Sequence, residues 1–329
     1  MWGTLYRASP SPPSTPSFNI IKMSKHSTWA SVPWTPVLNG RHIIGYQKHL
    51  VPYLLGGNSL QTLDVWIPLP EAPPAAHLPA LPGTWVVWLH GGAWRDPNIS
   101  ASAFEPAARH LLERKASHIA GLASFNYRLS PYPGTPSDDA AHSARHPDHV
   151  ADVLSGLAYL QGLGADKYIL AGHSCGATLA FQAAMGPERW GLGGPKIIAP
   201  VAVAGFNGLY DLEGFITTPD AGFENLRDVY EEFTRGAFGD DAEAWKSVSP
   251  ATANPSWVTE WTANGGKTVT LVQSGEDTLV PRTQLEAMWR CLQGRVELNE
   301  KEANGGHDEM WVDGRRMAGI LAEMAAELN

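Results

Sequence analysis

Short apolar runs alternate with segments of helical apolar spacing along most of the chain. Residues 84–89 are nearly all apolar and rich in Val and Trp, which is typical of a buried strand, whereas residues 149–160 repeat apolar side chains at helical spacing. Because strands separated by helices indicate βαβ units, we predict an α/β protein with a mostly parallel central sheet and helices on both faces. Strands are predicted at residues 60–67, 84–89, 118–127, 168–171, 197–203, 268–273 and 295–298, and helices at 102–116, 149–160, 175–185, 281–292 and 314–328.

Two segments depart from this alternation. Residues 211–261 are acidic and aromatic without clear strands, and we expect a small helical cap insertion over the C-terminal edge of the sheet, with an ordinary surface excursion as the alternative. Residues 1–40 contain a stretch of Ser, Pro and Thr that does not build a packed core. The sequence therefore predicts a disordered tail followed by one domain over residues 41–329, with Met1 or Met23 as the translation start.

Charge and cysteine content narrow the classes of partner and compartment. The formal net charge is −9, and no acidic residue precedes Asp64, so the body of the chain is acidic, which argues against nucleic acid and anionic membranes as partners. No apolar run approaches the roughly 18 residues of a membrane-spanning helix. The two cysteines, Cys175 and Cys291, fit a reducing compartment. We expect a cytoplasmic protein, with mitochondrial targeting by the acid-free tail as the minor alternative.

The pattern G-x-S-x-G occurs at residues 172–176, with Ser174 at its centre. It follows the predicted strand at 168–171 and opens the small-residue helix at 175–185. A sharp strand-to-helix turn projects a serine hydroxyl, and this context is typical of the α/β-hydrolase fold. The N-terminus of the helix also favours the negative charge that develops during attack. Ser174 is therefore the predicted nucleophile.

A serine hydroxyl needs a base, and in the α/β-hydrolase fold the catalytic residues follow the order Ser, acid, His. Of the 12 histidines, only His307 follows Ser174, so His307 is the predicted base. Asp277 comes after the predicted strand at 268–273 and is the preferred acid, which would accept the imidazole N–H and stabilise the imidazolium. Asp211 is the alternative acid.

A second glycine-rich motif follows the predicted strand at 84–89. Acyl transfer creates an oxyanion that needs backbone N–H donors, and consecutive glycines allow a close backbone approach. Gly91, Gly92 and Ala93 are the candidate donors in this loop, and Cys175 is the candidate beside the nucleophile.

Together these motifs resemble the kynurenine formamidase branch of the α/β hydrolases, in particular its fungal members, over about residues 40–328. The stretch from His90 to Trp94 reads H-G-G-A-W and is similar to that family's H-G-G-x-W motif rather than the H-G-G-G of hormone-sensitive-lipase-like esterases. The surroundings of Asp277 and His307 resemble the family as well. The resemblance implies hydrolysis of N-formyl-L-kynurenine to L-kynurenine and formate, in tryptophan breakdown towards NAD. His90 and Trp94 are candidates for contact with this small-molecule substrate.

Two other functions stay open from the sequence, a broad-specificity carboxylesterase and a non-catalytic small-molecule receptor on the same fold. The complete set of catalytic residues argues against the receptor. Among the 13 tryptophans, four are candidates for stacking on an aromatic substrate, although core packing is the commoner role for any one of them. These four are Trp94, Trp257, Trp261 and Trp311.

A metal site is the remaining possibility that the sequence raises. His142, His146 and His149 cluster, but no further ligand follows at metal-site spacing, and we expect no metal there. No phosphate-binding loop is visible, so no cofactor is predicted. The oligomeric state is left open, with a homodimer as one possibility.

Overall fold

Nine strands of the described part of the chain form the sheet at the centre of the computed structural model. The structure describes residues 28–74, 78, 81–115, 118–132, 134, 139–193 and 196–329. The strands are β1 (Thr35–Asn39), β2 (His42–Pro52), β3 (Thr62–Pro68), β4 (Thr84–Leu89), β5 (Ile119–Phe125), β6 (Tyr168–His173), β7 (Ala202–Phe206), β8 (Thr268–Ser274) and β9 (Glu297–Ala303). Their order is β1-β2-β3-β5-β4-β6-β7-β8-β9. The pairs β1–β2, β2–β3 and β3–β5 are antiparallel, and all later neighbours are parallel.

The helices lie mostly between the parallel strands. They are α1 (Glu105–Glu113), α2 (Asp148–Gln161), α3 (Cys175–Ala184), α4 (Leu212–Thr217), α5 (Arg227–Phe238), α6 (Ala242–Val248), α7 (Ser256–Ala263), α8 (Arg282–Leu292), α9 (Glu309–Asp313) and α10 (Arg315–Glu327). Short 3₁₀ helices occur at Ala101–Phe104, Pro187–Trp190 and Glu224–Leu226. Within the described part of the chain, no helix has both the length and the apolar character to cross a membrane.

Helices cover both faces of the sheet because the central strands are apolar on both sides. Along β4, Val87 and Leu89 pack into one hydrophobic cluster, whereas Val86 and Trp88 pack into the other. The first cluster includes side chains of α2, α3, α7 and α8, and the second includes side chains of α1 and α10. The predicted α/β architecture with a mostly parallel sheet is confirmed.

The folded part of the chain begins earlier than the predicted boundary at residue 41. Trp29 is buried, and the Lys48 ammonium donates hydrogen bonds to the carbonyl oxygens of Trp29 (3.0 Å) and Val32. β1 also precedes residue 41. The periodicity does not reveal β1 because this edge strand is short and exposed at every position except Val37. Residues 1–27 of the predicted tail lie outside the described residues.

Strand β7 also differs in position from the predicted strand. An apolar run favoured a strand at residues 197–203, but β7 pairs with β6 only from Ala202 onward. Pro200 interrupts the run, and proline cannot donate a ladder hydrogen bond. The strand instead continues through small residues to Phe206, which brings its C-terminal end level with that of β6.

Candidate active site

Ser174 lies in a sharp turn between β6 and α3. Its backbone has φ 55° and ψ −123°, a region that non-glycine residues rarely adopt. Gly176 permits the turn, since a Cβ there would lie only 2.3 Å from the carbonyl oxygen of Leu89 at the end of β4. The constrained backbone places Ser174 at the wall of a cavity.

His307 and Asp277 reach the same edge of the sheet from the loops after β9 and β8. His307 Nδ1 lies 2.7 Å from Asp277 Oδ2, and both side chains are buried. His307 lines the same cavity as Ser174. The carboxyl ends of parallel strands meet at one edge, so the fold brings together three residues that are far apart in the chain.

Asp211 has a different position. It is the N-cap of α4, where its Oδ1 accepts a hydrogen bond from the Gly214 N–H at 2.9 Å. The structure therefore places Asp277, rather than Asp211, against His307.

The loop between β4 and the first 3₁₀ helix turns tightly beside the serine. Gly92, Ala93 and Trp94 all have positive φ, at 97°, 50° and 59°. Gly92 and Ala93 line the cavity with Ser174, and a Cβ on Gly91 would lie 3.2 Å from the Ser174 Cβ. The predicted oxyanion-hole loop and the serine are thus neighbours in space.

Cys175 fastens this loop to the turn at the serine. Its buried Sγ accepts a hydrogen bond from the Trp94 N–H at 3.2 Å. Burial raises the pKa of the Cys175 thiol to about 11, so the thiol stays protonated near neutral pH. The side chain supports the loop, which leaves the backbone N–H of Cys175 as the candidate donor to an oxyanion.

His90 lies behind the loop rather than in the cavity. Its ring stacks on Tyr127 at 4.4 Å, and its Nδ1 lies 2.8 Å from the Gly91 carbonyl oxygen. Burial lowers the pKa of His90 to about 4, so the ring is neutral. His90 is not among the residues that line the cavity, because the stack on Tyr127 directs its ring into the core.

The four tryptophans that were candidates for stacking on substrate do not line the cavity. Trp94 is fully buried, with its ring 5.9 Å from Phe233 and 5.0 Å from Phe238. Trp257 and Trp261, both on α7, are buried in the hydrophobic core. The Trp311 indole donates a hydrogen bond to Asp308 at 3.0 Å and does not line the cavity.

Phenylalanine and tyrosine side chains supply the aromatic walls instead. The cavity has a volume of about 250 Å³. Its apolar walls come largely from the segment between β7 and β8, which forms the predicted helical cap over the sheet edge. The aromatic lining residues are Tyr132, Phe215, Tyr230 and Phe233, and the aliphatic ones include Ile99, Leu209, Leu226, Val229, Leu279 and Val280.

Two buried residues that the sequence analysis missed hold the loop of His307. His173 Nε2 lies 2.9 Å from the His307 carbonyl oxygen, and burial keeps the pKa of His173 well below its usual value. Asn207 Nδ2 donates to the same oxygen at 3.1 Å, while its Oδ1 accepts from the Ser274 N–H at 2.9 Å. The sequence could have indicated Asn207, because it is a polar residue directly after an apolar strand.

The three histidines that cluster near the start of α2 each contact a different partner rather than a common site. His142 pairs with Asp139 at 2.7 Å, His146 packs on the Trp190 ring, and His149 contacts the Ser130 hydroxyl at 3.0 Å. Among the described residues, a different group has potential ligand atoms within 4.8 Å of one another: His173, His307 and Asp308. One ring nitrogen of each of these two histidines already has a partner, Asp277 for His307 and the His307 carbonyl for His173.

Comparison with known proteins agrees with this geometry. A model of the α/β-hydrolase family matches residues 86–320. Among solved structures, esterase B from Lactobacillus rhamnosis superposes with a TM-score of 0.58 at 15% identity, and the match covers 94% of this chain and 98% of the esterase. Carboxyl esterase 2 from the fungus Tuber melanosporum has a TM-score of 0.57 at 15% identity, over 98% and 88% of the two chains. These likenesses support the fold.

Closer relatives are found among curated fungal proteins. The kynurenine formamidase-like hydrolase fscH of Fusarium equiseti is 38% identical over 298 residues, which cover 83% of this chain and 93% of the relative. Kynurenine formamidase avaC of Aspergillus versicolor is 36% identical over 252 residues, which cover 70% and 85%. The family resemblance predicted from the motifs is confirmed. This chain belongs to the α/β-hydrolase family and, within it, to the kynurenine formamidases.

Proposed function

We propose that the chain hydrolyses N-formyl-L-kynurenine to L-kynurenine and formate, with Ser174 as nucleophile, His307 as base and Asp277 as acid. The observation that carries the proposal is the buried His307–Asp277 hydrogen bond in the cavity that Ser174 lines. The identity of 36–38% to kynurenine formamidases over most of the chain supports the choice of substrate.

In the first half-reaction, His307 Nε2 takes the hydroxyl proton as Ser174 Oγ attacks the formyl carbon. The donors for the resulting oxyanion are backbone N–H groups of Ala93 and Cys175, together with those of Gly91 and Gly92. Asp277 stabilises the imidazolium that forms. His307 then protonates the departing aniline nitrogen, which releases L-kynurenine and leaves a formyl ester on Ser174.

In the second half-reaction, His307 takes a proton from water as the water attacks the formyl ester. The tetrahedral intermediate collapses, His307 returns the proton to Ser174 Oγ, and formic acid leaves and loses its own proton to water to give formate. A formyl group carries only hydrogen beyond its carbonyl carbon, so the acyl side of the site needs little space. The walls formed by Phe215, Tyr230 and Phe233 favour an aromatic leaving group on the other side.

A comparison of two substrates tests the proposal. We expect kcat/KM for N-formyl-L-kynurenine to exceed that for p-nitrophenyl acetate, because contacts to the ring and the amino-acid end are available in the transition state only to the larger substrate. Preference for the acetate ester, with no advantage of N-formyl-L-kynurenine over other aryl formamides, would support the carboxylesterase alternative. Binding without turnover of either substrate would support the receptor alternative.

The nucleophile is tested by Ser174→Ala. The change removes the attacking oxygen without adding bulk, and we expect kcat to fall by at least about 10³-fold. Thermal unfolding followed by circular dichroism provides the control for an intact fold. Near-normal turnover by a folded Ser174→Ala protein would contradict the mechanism.

We further propose that the enzyme acts in the cytoplasm on this small molecule rather than on nucleic acid or a membrane. Two free cysteines and the acidic net charge support this assignment. Ser174, Asp277 and His307 come from a single chain, so a homodimer would contain two complete sites. Fractionation of cells with an antibody tests the compartment, and sedimentation tests the oligomeric state.

A further inference from the structure

Arg95 follows the tight oxyanion-loop turn and lines the same cavity as Ser174. Its side chain is only 12% exposed. Nη1 lies 3.0 Å from Glu232 Oε1, and the guanidinium carbon lies 5.4 Å from the centre of the Tyr132 ring. A largely buried cation in a cavity wall requires an anionic partner.

The present partner of Arg95 is easily released. Glu232 lies on α5 of the cap, its side chain is 55% exposed, and its second contact with Arg95 is long, at 3.5 Å. An exposed carboxylate returns to water at little cost, and an ion pair with such a partner contributes little to stability. The guanidinium presents several N–H donors in a planar fork that matches a carboxylate.

The other charges of the cavity are negative. Of the described residues that line it, Arg95 alone carries a fixed positive charge, whereas Asp96 and Asp308 are acidic. Asp96 Oδ1 accepts two hydrogen bonds from Asn98, and Asp308 Oδ1 accepts one from Trp311. A ligand with a carboxylate and an ammonium group would therefore be attracted with its carboxylate toward Arg95.

We propose that Arg95 binds the α-carboxylate of the substrate in place of Glu232, and so selects aryl formamides that carry an amino-acid end. This inference rests on the proposed function and adds to it a residue that determines specificity. Because the formamide and the amino-acid side chain are ortho substituents of the same ring, a carboxylate held by Arg95 would also fix the position of the formyl group relative to Ser174.

Binding of the reaction product provides a test that does not require turnover. L-Kynurenine retains the α-carboxylate, and kynuramine is the same compound with hydrogen in its place. We expect calorimetry to show that the wild-type enzyme binds L-kynurenine about 10-fold or more tightly than kynuramine, as for a charge-assisted hydrogen-bonded pair. In Arg95→Met, the two affinities should become equal within about twofold.

Two further variants control this result. Glu232→Gln removes the competing carboxylate, so the preference for L-kynurenine should increase. Arg189→Met removes a similar arginine, 21% exposed and 3.5 Å from the exposed Glu260, which does not line the cavity. In that variant the preference should stay as in the wild type.

Equal affinities in the wild type, no binding of either compound, or a preference that survives Arg95→Met would overturn the role of Arg95. If Arg95 had only a structural role, Arg95→Met would weaken the binding of L-kynurenine and kynuramine equally. The ratio of the two affinities would then stay unchanged. Failure of the proposed function is a separate result, since it is measured as the absence of N-formyl-L-kynurenine turnover. Turnover of that substrate together with equal binding of the two products would retain the function and reject this inference.

Discussion

Asp277 uses both carboxylate oxygens as hydrogen-bond acceptors. Oδ1 accepts from the backbone N–H groups of Leu279 and Val280 at 2.8 and 2.9 Å. Oδ2 faces His307 Nδ1 at 2.7 Å and the Gln273 side-chain amide at 3.3 Å. Two backbone N–H groups and one side-chain amide donate to Asp277, so its carboxylate is held as an acceptor that faces His307 Nδ1.

Substitution of the two candidate acids separates their roles. Asp277→Asn replaces one acceptor with an NH₂ group that faces donors, and we expect kcat to fall by about 10³- to 10⁴-fold because the His307 tautomer is no longer fixed. Asp211→Asn should leave kcat close to wild type, since asparagine caps a helix about as well as aspartate. Steady-state kinetics on both proteins provides the measurement. A larger loss in Asp211→Asn would reverse the assignment.

At the level of elements, the meeting of the candidate site residues was predictable where a motif sits at the end of a parallel strand. Ser174 and His307 follow from local pattern and chain order, because the fold fixes where such residues meet. The orientation of side chains away from regular elements was not predictable. Trp94 turns into the core through a backbone with positive φ, which no periodicity reveals, and the partners of His173 and Asn207 depend on a loop more than 90 residues away.

The segment before β1 offers a test at the same scale. Deletion of residues 1–22 should leave the melting temperature and turnover unchanged, because Ser/Pro-rich sequence buries little surface. Deletion of residues 1–34 should lower the melting temperature by several degrees. It removes the buried Trp29 and leaves Lys48 without its carbonyl partners. Differential scanning calorimetry on both truncations distinguishes the cases, and equal melting temperatures would contradict the docking of this segment.

Among the described residues, burial keeps four histidines neutral, of which His90, His149 and His173 are buried and His146 is half-buried. Burial lowers the pKa of His90 and His146 to about 4 and that of His149 to about 3, and it holds the pKa of His173 well below its usual value. Unfolding returns each ring to water, where its pKa is about 6.5. Between these values the unfolded chain binds more protons than the folded chain, so the free energy of unfolding falls on acidification from about pH 6.5 to about pH 4.

In that range, each such histidine should lower the free energy of unfolding by up to about 1.4 kcal/mol for each pH unit of acidification. The variant His146→Phe tests one of them, because its ring packs on Trp190 and Phe238 and a phenyl ring can take its place without titrating. Urea unfolding at several pH values should show a shallower acid dependence in His146→Phe than in the wild type. If the free energy of unfolding fell equally with acidification in both proteins, His146 would not contribute to the acid sensitivity.

The buried thiol next to Ser174, the proposed nucleophile, has a consequence for chemical resistance. Alkylating agents and peroxides react with thiolates, and Cys175 forms almost none near neutral pH because burial raises the pKa of its thiol to about 11. Activity should therefore survive iodoacetamide or hydrogen peroxide, whereas a fluorophosphonate that phosphonylates Ser174 should abolish it. Peptide mass spectrometry should find Cys175 unmodified after treatment of the folded enzyme. We therefore expect activity to persist under oxidising conditions that inactivate a cysteine-dependent hydrolase, and loss of activity together with oxidation of Cys175 would contradict this expectation.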